Sequence, residues 1–249
     1  HMAKVVKKFN EAGHRAQGIV IGCGGCEPKQ KAYAEKLGLE HFSKKNTPLS
    51  SKFSFAYTQA LLKETYYVCK IDSNNFNSDS YWDKCIEKLS GSKVVSFGTN
   101  RFTIVSSDQE EEKTCVFKTR KKIHLCNSGQ FYLNWSLSQC VNFRSLYSTG
   151  QKSNFDGRIN EAISKKWGES VIETISTSPS DCFDIKDGTD IHSYESYIVK
   201  RNTVYPAYKD RSKLVEEYEE LKLLDLGYFS PSCDKIVEPG ADLSEIERI

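Results

Sequence analysis

The sequence predicts an α/β protein with a mixed, mainly parallel sheet and helices on both faces. Short apolar runs such as Ile19-Val20-Ile21 and Tyr66-Tyr67-Val68-Cys69 are bounded by glycines or polar turns, as strands buried on both sides are. Amphipathic stretches of helical period separate them. The two kinds of segment alternate through the first half of the chain, the pattern of βαβ units. A length of 249 residues suits one generous α/β domain. Residues 1–229 read as that single domain, and residues 230–249, with their prolines, glycine and acids, as an extended tail.

Val5, Val6 and Phe9 lie on a short amphipathic helix that ends at Gly13, a natural terminator. The strand at Ile19 follows. Pro28 fits the first turn of a helix that carries Ala32, Tyr33 and Leu37 and stops at Gly38. A second strand is expected at residues 39–42, then a polar loop at 44–50, then a helix holding Phe55, Ala56, Gln59, Ala60 and Leu62. The strand through Tyr67 and Ile71 ends on Asp72. Ser78 is suited to cap the next helix, where Trp82, Cys85, Ile86 and Leu89 share one face and Gly91 closes the element. Val94, Val95 and Phe97 form a strand, and Phe102, Ile104 and Val105 another. After a hydrophilic turn at 106–113, a hairpin-like pair is expected around Val116 and Ile123, carrying Lys118, Arg120, Lys121 and Lys122. Further helices are expected at residues 135–143, at 159–167 with Asn154 as cap and Gly168 beyond the end, and at 213–226.

A formal net charge of +2 does not demand nucleic acid as a partner, although a local basic patch can still bind it. No apolar run approaches the roughly 18 residues of a membrane span. No membrane anchor and no secretion signal are expected, so the expected compartment is the cytoplasm, that of the host if the protein is viral. His1-Met2 reads as a cloning scar. Of nine cysteines, Cys23 and Cys26 form a C-x-x-C, the spacing of zinc or redox sites, but no second pair matches it. Reduced thiols packed as small apolar groups are the plainer account.

In open α/β sheets ligands bind beyond the carboxyl ends of the strands, and Asp72 stands at such an end. Residues 46–52 (Asn-Thr-Pro-Leu-Ser-Ser-Lys), a helix, and then residues 67–76 (Tyr-Val-Cys-Lys-Ile-Asp-Ser-Asn-Asn-Phe) resemble the core of family-2-like GT-A glycosyltransferases. In that Rossmann-related fold a strand ends in a D-x-D motif soon after such a helix. Upstream, residues 18–22 (Gly-Ile-Val-Ile-Gly) resemble the second strand of the fold. Downstream, residues 129–132 (Gly-Gln-Phe-Tyr) resemble the segment lining the acceptor side. Residues 155–159 (Phe-Asp-Gly-Arg-Ile) resemble the segment that holds the catalytic base of inverting members, and residues 190–192 (Asp-Ile-His) the late histidine of the metal site. The order and rough spacing hold over residues 18–195. The chain departs from the pattern twice. Asn74 stands where the second aspartate of the motif belongs, and no strand precedes the helix at Val5, where the fold normally opens with one that contacts the nucleobase.

The resemblance implies a donor site made of Lys52, Asp72, Ser73, Asn74, Lys200 and Arg201. It implies Mn2+ or Mg2+ held by Asp72, Asn74 and His192, with Asp156 as general base and Gly129, Gln130 and Trp135 on the acceptor side. The residue types suit that chemistry. A departing nucleoside diphosphate carries negative charge that a divalent ion neutralises, and such ions take hard oxygen ligands. Each residue also has a structural account. Asp72 can cap a turn with Ser73 and Asn74. An acid in the first turn of a helix, as Asp156 would be, is stabilised by the helix dipole. His192 can be an ordinary hydrogen-bonded histidine, and the lysines and arginine can lie on solvated faces.

The activity implied is hexosyl or pentosyl transfer from a nucleotide sugar, such as a UDP- or GDP-sugar, to a hydroxyl acceptor on a glycan or on a hydroxymethylated base in phage or viral DNA. Some phage-encoded DNA-modifying transferases have this size and style. The cluster of Lys118, Arg120, Lys121 and Lys122, with Phe131, Tyr132 and Trp135 nearby in sequence, suits an enzyme that grips DNA and flips a base. A solvated hairpin rim beside core aromatics is the plainer account. Two other functions stay open: a GT-A-like binding module without catalysis, and a nucleotidyltransferase. For the latter, Gly22-Cys-Gly-Gly25 is rich in glycine but lacks the arginine such a loop needs.

Overall fold

A computed structural model of the chain describes residues 1–22, 27–45, 49–91, 94–106, 114–118, 125, 129–140, 155–178, 181–186 and 205–206. The first half alternates as expected: α1 (Met2–Glu11), β1 (Ile19–Gly22), α2 (Glu27–Lys36), β2 (Glu40–Ser43), α3 (Leu49–Leu61), β3 (Tyr67–Lys70) and α4 (Asp79–Gly91), with a short strand β4 (Asn75–Asn77) before α4. Then come β5 (Ser96–Thr99), β6 (Arg101–Ser106), β7 (Thr114–Lys118), β8 (Gln130–Leu133), α5 (Asn134–Cys140), α6 (Phe155–Trp167), β9 (Ile172–Ile175), β10 (Cys182–Lys186) and β11 (Tyr205–Pro206). The expected helix at 213–226 and the tail at 230–249 lie outside the described residues, as does the cap expected at Asn154.

The strands form a parallel pair, β1 with β2, a four-stranded sheet in the order β3-β8-β5-β9, and a five-stranded sheet in the order β11-β7-β6-β10-β4. In the four-stranded sheet β3, β5 and β9 run one way and β8 runs against them. Each of the three leaves by its carboxyl end into the second sheet: β3 into β4, β5 into β6, β9 into β10. That end of the four-stranded sheet is where the two sheets meet.

The molecule is thus α/β, but its sheets are mixed and not mainly parallel. Among the described residues five ladders are antiparallel and three parallel. In the four-stranded sheet both antiparallel ladders belong to β8, which enters between β3 and β5 from their carboxyl end and runs back. Gly129 makes that entry possible with φ 72°, and its amide bonds to the carbonyl of Lys70 at 2.9 Å. Of the expected hairpin, Val116 lies on β7, where it faces Thr103 on β6 and Tyr205 on β11, and Ile123 lies outside the described residues.

Helices do cover both faces of the four-stranded sheet, and the period-two alternation of its strands shows how. Tyr67, Cys69 and Ile71 of the β3 segment and Phe131 of β8 join a cluster with Val5 and Phe9 of α1 and Trp82 and Cys85 of α4. Their neighbours Val68 and Tyr132 point the other way, into a cluster with Tyr57 of α3, Leu137 of α5 and Ile159 and Ile163 of α6. On the first face Phe97 stacks on Phe131 with ring centroids 4.7 Å apart, and Phe9 packs on Phe131 and Trp82. Not every apolar helix residue is used: Tyr33 and Leu37 of the α2 region are exposed. Among the described residues no helix is long and apolar enough to cross a membrane.

Ser78 caps α4 as expected, its Oγ accepting from the amide of Tyr81 at 3.1 Å and donating to Asp181 Oδ1 at 2.9 Å. Asp181 also accepts from Lys84 Nζ and from the amide of Ser178, both at 2.7 Å. Burial alone pushes this carboxyl up. The hydrogen bonds from Lys84, Ser178 and Ser78 outweigh it and hold the carboxyl below its ordinary value. A folded value lower than the unfolded one contributes stability above the unfolded carboxyl's range, about pH 4, and that contribution is lost as pH falls through the folded value. Asp181→Asn is therefore expected to melt below wild type at pH 7, with the gap closing as pH falls from the unfolded carboxyl's value through the lower folded one. A gap independent of pH in thermal melts would show that the charge is irrelevant.

Candidate functional site

Asp72 follows β3 on a turn at residues 72–75, closed by a bond from the Asn75 amide to the Asp72 carbonyl at 3.2 Å. This turn carries the chain from the first sheet to the second, so Asp72 stands at the carboxyl end of a strand and at the junction of the two sheets. Its side chain is 27% exposed, neither locked inside nor free in solvent. Lys70, the last residue of β3, places Nζ 2.9 Å from Asp72 Oδ2 while its own side chain is only 11% exposed. The ammonium also lies 4.7 Å above the ring of Phe53 on α3. Lys70 and Asp72 are two residues apart and share the strand face occupied by α3 and α6.

Asn74 is tied to the second sheet. Its Nδ2 donates to Asp184 Oδ1 at 3.2 Å and to the Ile185 carbonyl at 3.1 Å, and its own carbonyl accepts from the Ile185 amide at 2.9 Å. Asp184 lies on β10, nearly buried, in register with Asn75. Ser73 is exposed at the tip of the turn.

The residues implied for the acceptor side separate. Lys70 faces Gln130 across the ladder, which brings Gly129 and Gln130 to the Asp72 end. Gly129 is buried, and a Cβ there would meet Tyr81 Cε1 at 2.6 Å, while Tyr81 donates from its hydroxyl to the Gly129 carbonyl at 2.8 Å. Gln130 is fully buried, its Nε2 donating to Asn160 Oδ1 at 2.9 Å and to Ser96 Oγ at 3.2 Å. Trp135 is at the other end. β8 runs back from Gln130 to Leu133, about 10 Å in three residues, and the Asn134 amide then bonds to the Tyr66 carbonyl, ahead of β3. Trp135 is 62% exposed there and sits 6.0 Å from the ring of Trp167. It does not meet Asp72.

Two helices start at the Asp72 end. Phe53, under Lys70, fixes the start of α3 there, and Lys52 lies beside it in the first turn. Asn160, bonded to Gln130, fixes the start of α6, whose last residue Trp167 reaches Trp135 at the far end. Asp156 belongs to the first turn of α6, one turn before Asn160. Both helix amino ends thus present their positive poles on the side of the sheet where Asp72 lies. His192, Lys200, Arg201 and the basic residues Arg120, Lys121 and Lys122 lie outside the described residues, as does the C-x-x-C of Cys23 and Cys26.

Sequence reasoning missed Lys70 and Asp184. Lys70 carried a signal, a single cation inside an otherwise apolar strand two residues before Asp72. Asp184 carried none, because 110 residues separate it from Asn74. Among the described residues no group of three or more His, Cys, Asp or Glu encloses a metal position. The described oxygens at the turn, the Asp72 carboxylate and the Asn74 amide carbonyl, are hard donors. They fit an ion that completes its shell with substrate phosphates and water, as Mg2+ does, and they do not form a closed cage by themselves. No known family model and no curated protein matches this chain.

Proposed function

We propose that the chain is a GT-A-like transferase that binds a nucleotide sugar at the Asp72 end of the four-stranded sheet and moves the sugar to a hydroxyl acceptor. The observation that carries this reading is Asp72 itself: a partly exposed carboxylate at a strand's carboxyl end, braced by Lys70, where two sheets meet and two helices begin. Mn2+ or Mg2+, when bound, neutralises charge on the departing diphosphate. Asp72 and the Asn74 carbonyl are the described groups suited to hold it. Lys70 keeps the Asp72 carboxylate in one orientation, and Lys52 with the amino ends of α3 and α6 favours the anionic donor. Asp156, in the first turn of α6, is the group we assign to take the acceptor proton. Lys200, Arg201 and His192 complete the proposed donor and metal set.

Nucleotide release from UDP- and GDP-sugars with Mn2+, with the bound ligand identified by mass spectrometry, tests the assignment. Release from one donor supports it. Nucleotide binding without release from any donor supports the binding-module reading instead, which Asn74 in place of an acid favours. No binding at all sinks both.

An incomplete protein ligand set has a further consequence. Mn2+ alone and UDP or GDP alone are each expected to raise the melting temperature by no more than about a degree. Together they are expected to raise it by several degrees, because each supplies ligands or charge that the other needs. Additive shifts in a thermal-shift titration would mean that ion and nucleotide do not share a site.

A further inference from the structure

The three most exposed large apolar side chains among the described residues gather at the end of the four-stranded sheet opposite Asp72. Tyr66 is 81% exposed, Leu62 72% and Trp135 62%. Their backbone is held fast. Asn134 donates from its amide to the Tyr66 carbonyl at 2.7 Å, and from Nδ2 to the carbonyls of Lys63 and Thr65 at 3.3 and 3.0 Å. Thr65 Oγ1 donates to the Tyr67 carbonyl at 3.0 Å. One asparagine thus staples the turn between α3 and β3 to the start of α5. Both aromatic rings stand on a preorganised backbone, which lowers the entropy cost of binding through them. Trp135 is braced on one side by Trp167, whose ring has the Lys166 ammonium 5.0 Å from its centre.

Aromatic rings held open to solvent on a fixed backbone form a stacking surface. The charges around them select what stacks. α3 and α6 both finish at this end, so two helix carboxyl poles, which are negative, face it. Lys63, next to Leu62, is held in an ion pair by Glu40, and Lys166 donates to the Gln139 carbonyl at 2.9 Å. Glu64 stands exposed beside Lys63. A polyanion such as nucleic acid would meet negative poles here and lysines already in use. A neutral polyhydroxyl ligand meets ring faces for its C–H surfaces, and carboxylates and helix-end carbonyls for its hydroxyls.

We propose that this end of the sheet is a carbohydrate-binding surface, where Tyr66 and Trp135 stack on the rings of a neutral glycan. Tyr66 precedes Asp72 by six residues, about 20 Å of extended chain. Under the transferase reading, on which this one step rests, the acceptor is a glycan chain gripped at that distance from the donor, and not DNA.

Affinity electrophoresis in native gels containing dextran, β-glucan, mannan or galactan tests the surface with no donor present. At least one of these polysaccharides is expected to retard the wild-type protein. Trp135→Ala and Tyr66→Ala are each expected to weaken that binding at least about tenfold. Trp135→Tyr keeps a ring and is expected to retain most of it. Both truncations remove exposed side chains, so their melting temperatures are expected to stay within a few degrees of wild type.

The proposal is overturned if none of the four polysaccharides retards the protein, or if both truncations leave the retardation intact. A single-stranded oligonucleotide bound at physiological salt and lost on the same truncations overturns it in favour of nucleic acid. A wild-type dimer that both truncations dissociate overturns it in favour of a second copy of the chain. Retardation without nucleotide release from any donor keeps the surface and removes the transferase reading; release without retardation does the reverse.

Discussion

Asp72→Asn is expected to slow nucleotide release from the donor at least about 100-fold, equivalent to about 2.7 kcal/mol of lost transition-state stabilisation. The substitution leaves the size of the side chain and the turn at residues 72–75 in place. It removes the charge that balances Lys70 and that, in the proposed site, would balance a divalent ion. Because Lys70 is mostly buried, with Nζ 2.9 Å from the carboxylate, part of the effect falls on stability. An amide carbonyl still accepts from the ammonium, and the Phe53 ring still lies beneath it, so the cost is expected to stay near 1–2 kcal/mol. Adding Lys70→Met to Asp72→Asn removes the mostly buried cation as well and is expected to bring the melting temperature back towards wild type without restoring release. That dissociation assigns the lost activity to the missing charge and not to unfolding. Undiminished release by Asp72→Asn would move the donor site away from this end of the sheet.

The local features of the fold were legible because they are written within a turn or two of chain. The α4 cap at Ser78, its buried face of Trp82 and Cys85, and the glycine after α6 all follow from side chains within a few positions of one another. So does the end of β3 just before Asp72. What the sequence hid is strand direction and long-range pairing. Residues 129–135 read as one acceptor segment, yet β8 carries Gln130 to one end of the sheet and delivers Trp135 to the other. The short strand β4 has too few residues to show a period, and it exists through β10: Cys182, Phe183 and Asp184 pair with Asn77, Phe76 and Asn75. A polar residue such as Asn74 can be read as a weak ligand or a turn former. Only the fold reveals that its amide nitrogen is tied to a carboxylate 110 residues away.

The largest loss of stability is expected from Trp82→Ala. Trp82 is 1% exposed and stands where α1, α4 and β4 converge. Its ring meets Tyr81 and Phe9 edge-on at 5.2 and 6.0 Å, and its Nε1 donates to the Asn77 carbonyl at 3.1 Å. Truncation removes the largest buried side chain and leaves a void that flanking aromatics on separate elements cannot close. The expected cost is about 3–5 kcal/mol, or roughly 6–20 °C in melting temperature. Trp82→Phe keeps most of the packing but withdraws the donor from Asn77, and is expected to cost distinctly less, about 1–3 kcal/mol. The ordering of the two variants carries the physics. If they melt together, the hydrogen bond to β4 dominates and α1 contributes little through Phe9. If Trp82→Ala falls well below Trp82→Phe, the ring is the wedge that fixes α1 to the sheet. Asn77 closes the strand that begins at the turn of Asp72 and Asn74, so a slack β4 is also expected to weaken the joint Mn2+ and nucleotide response, although Trp82 lies in the core.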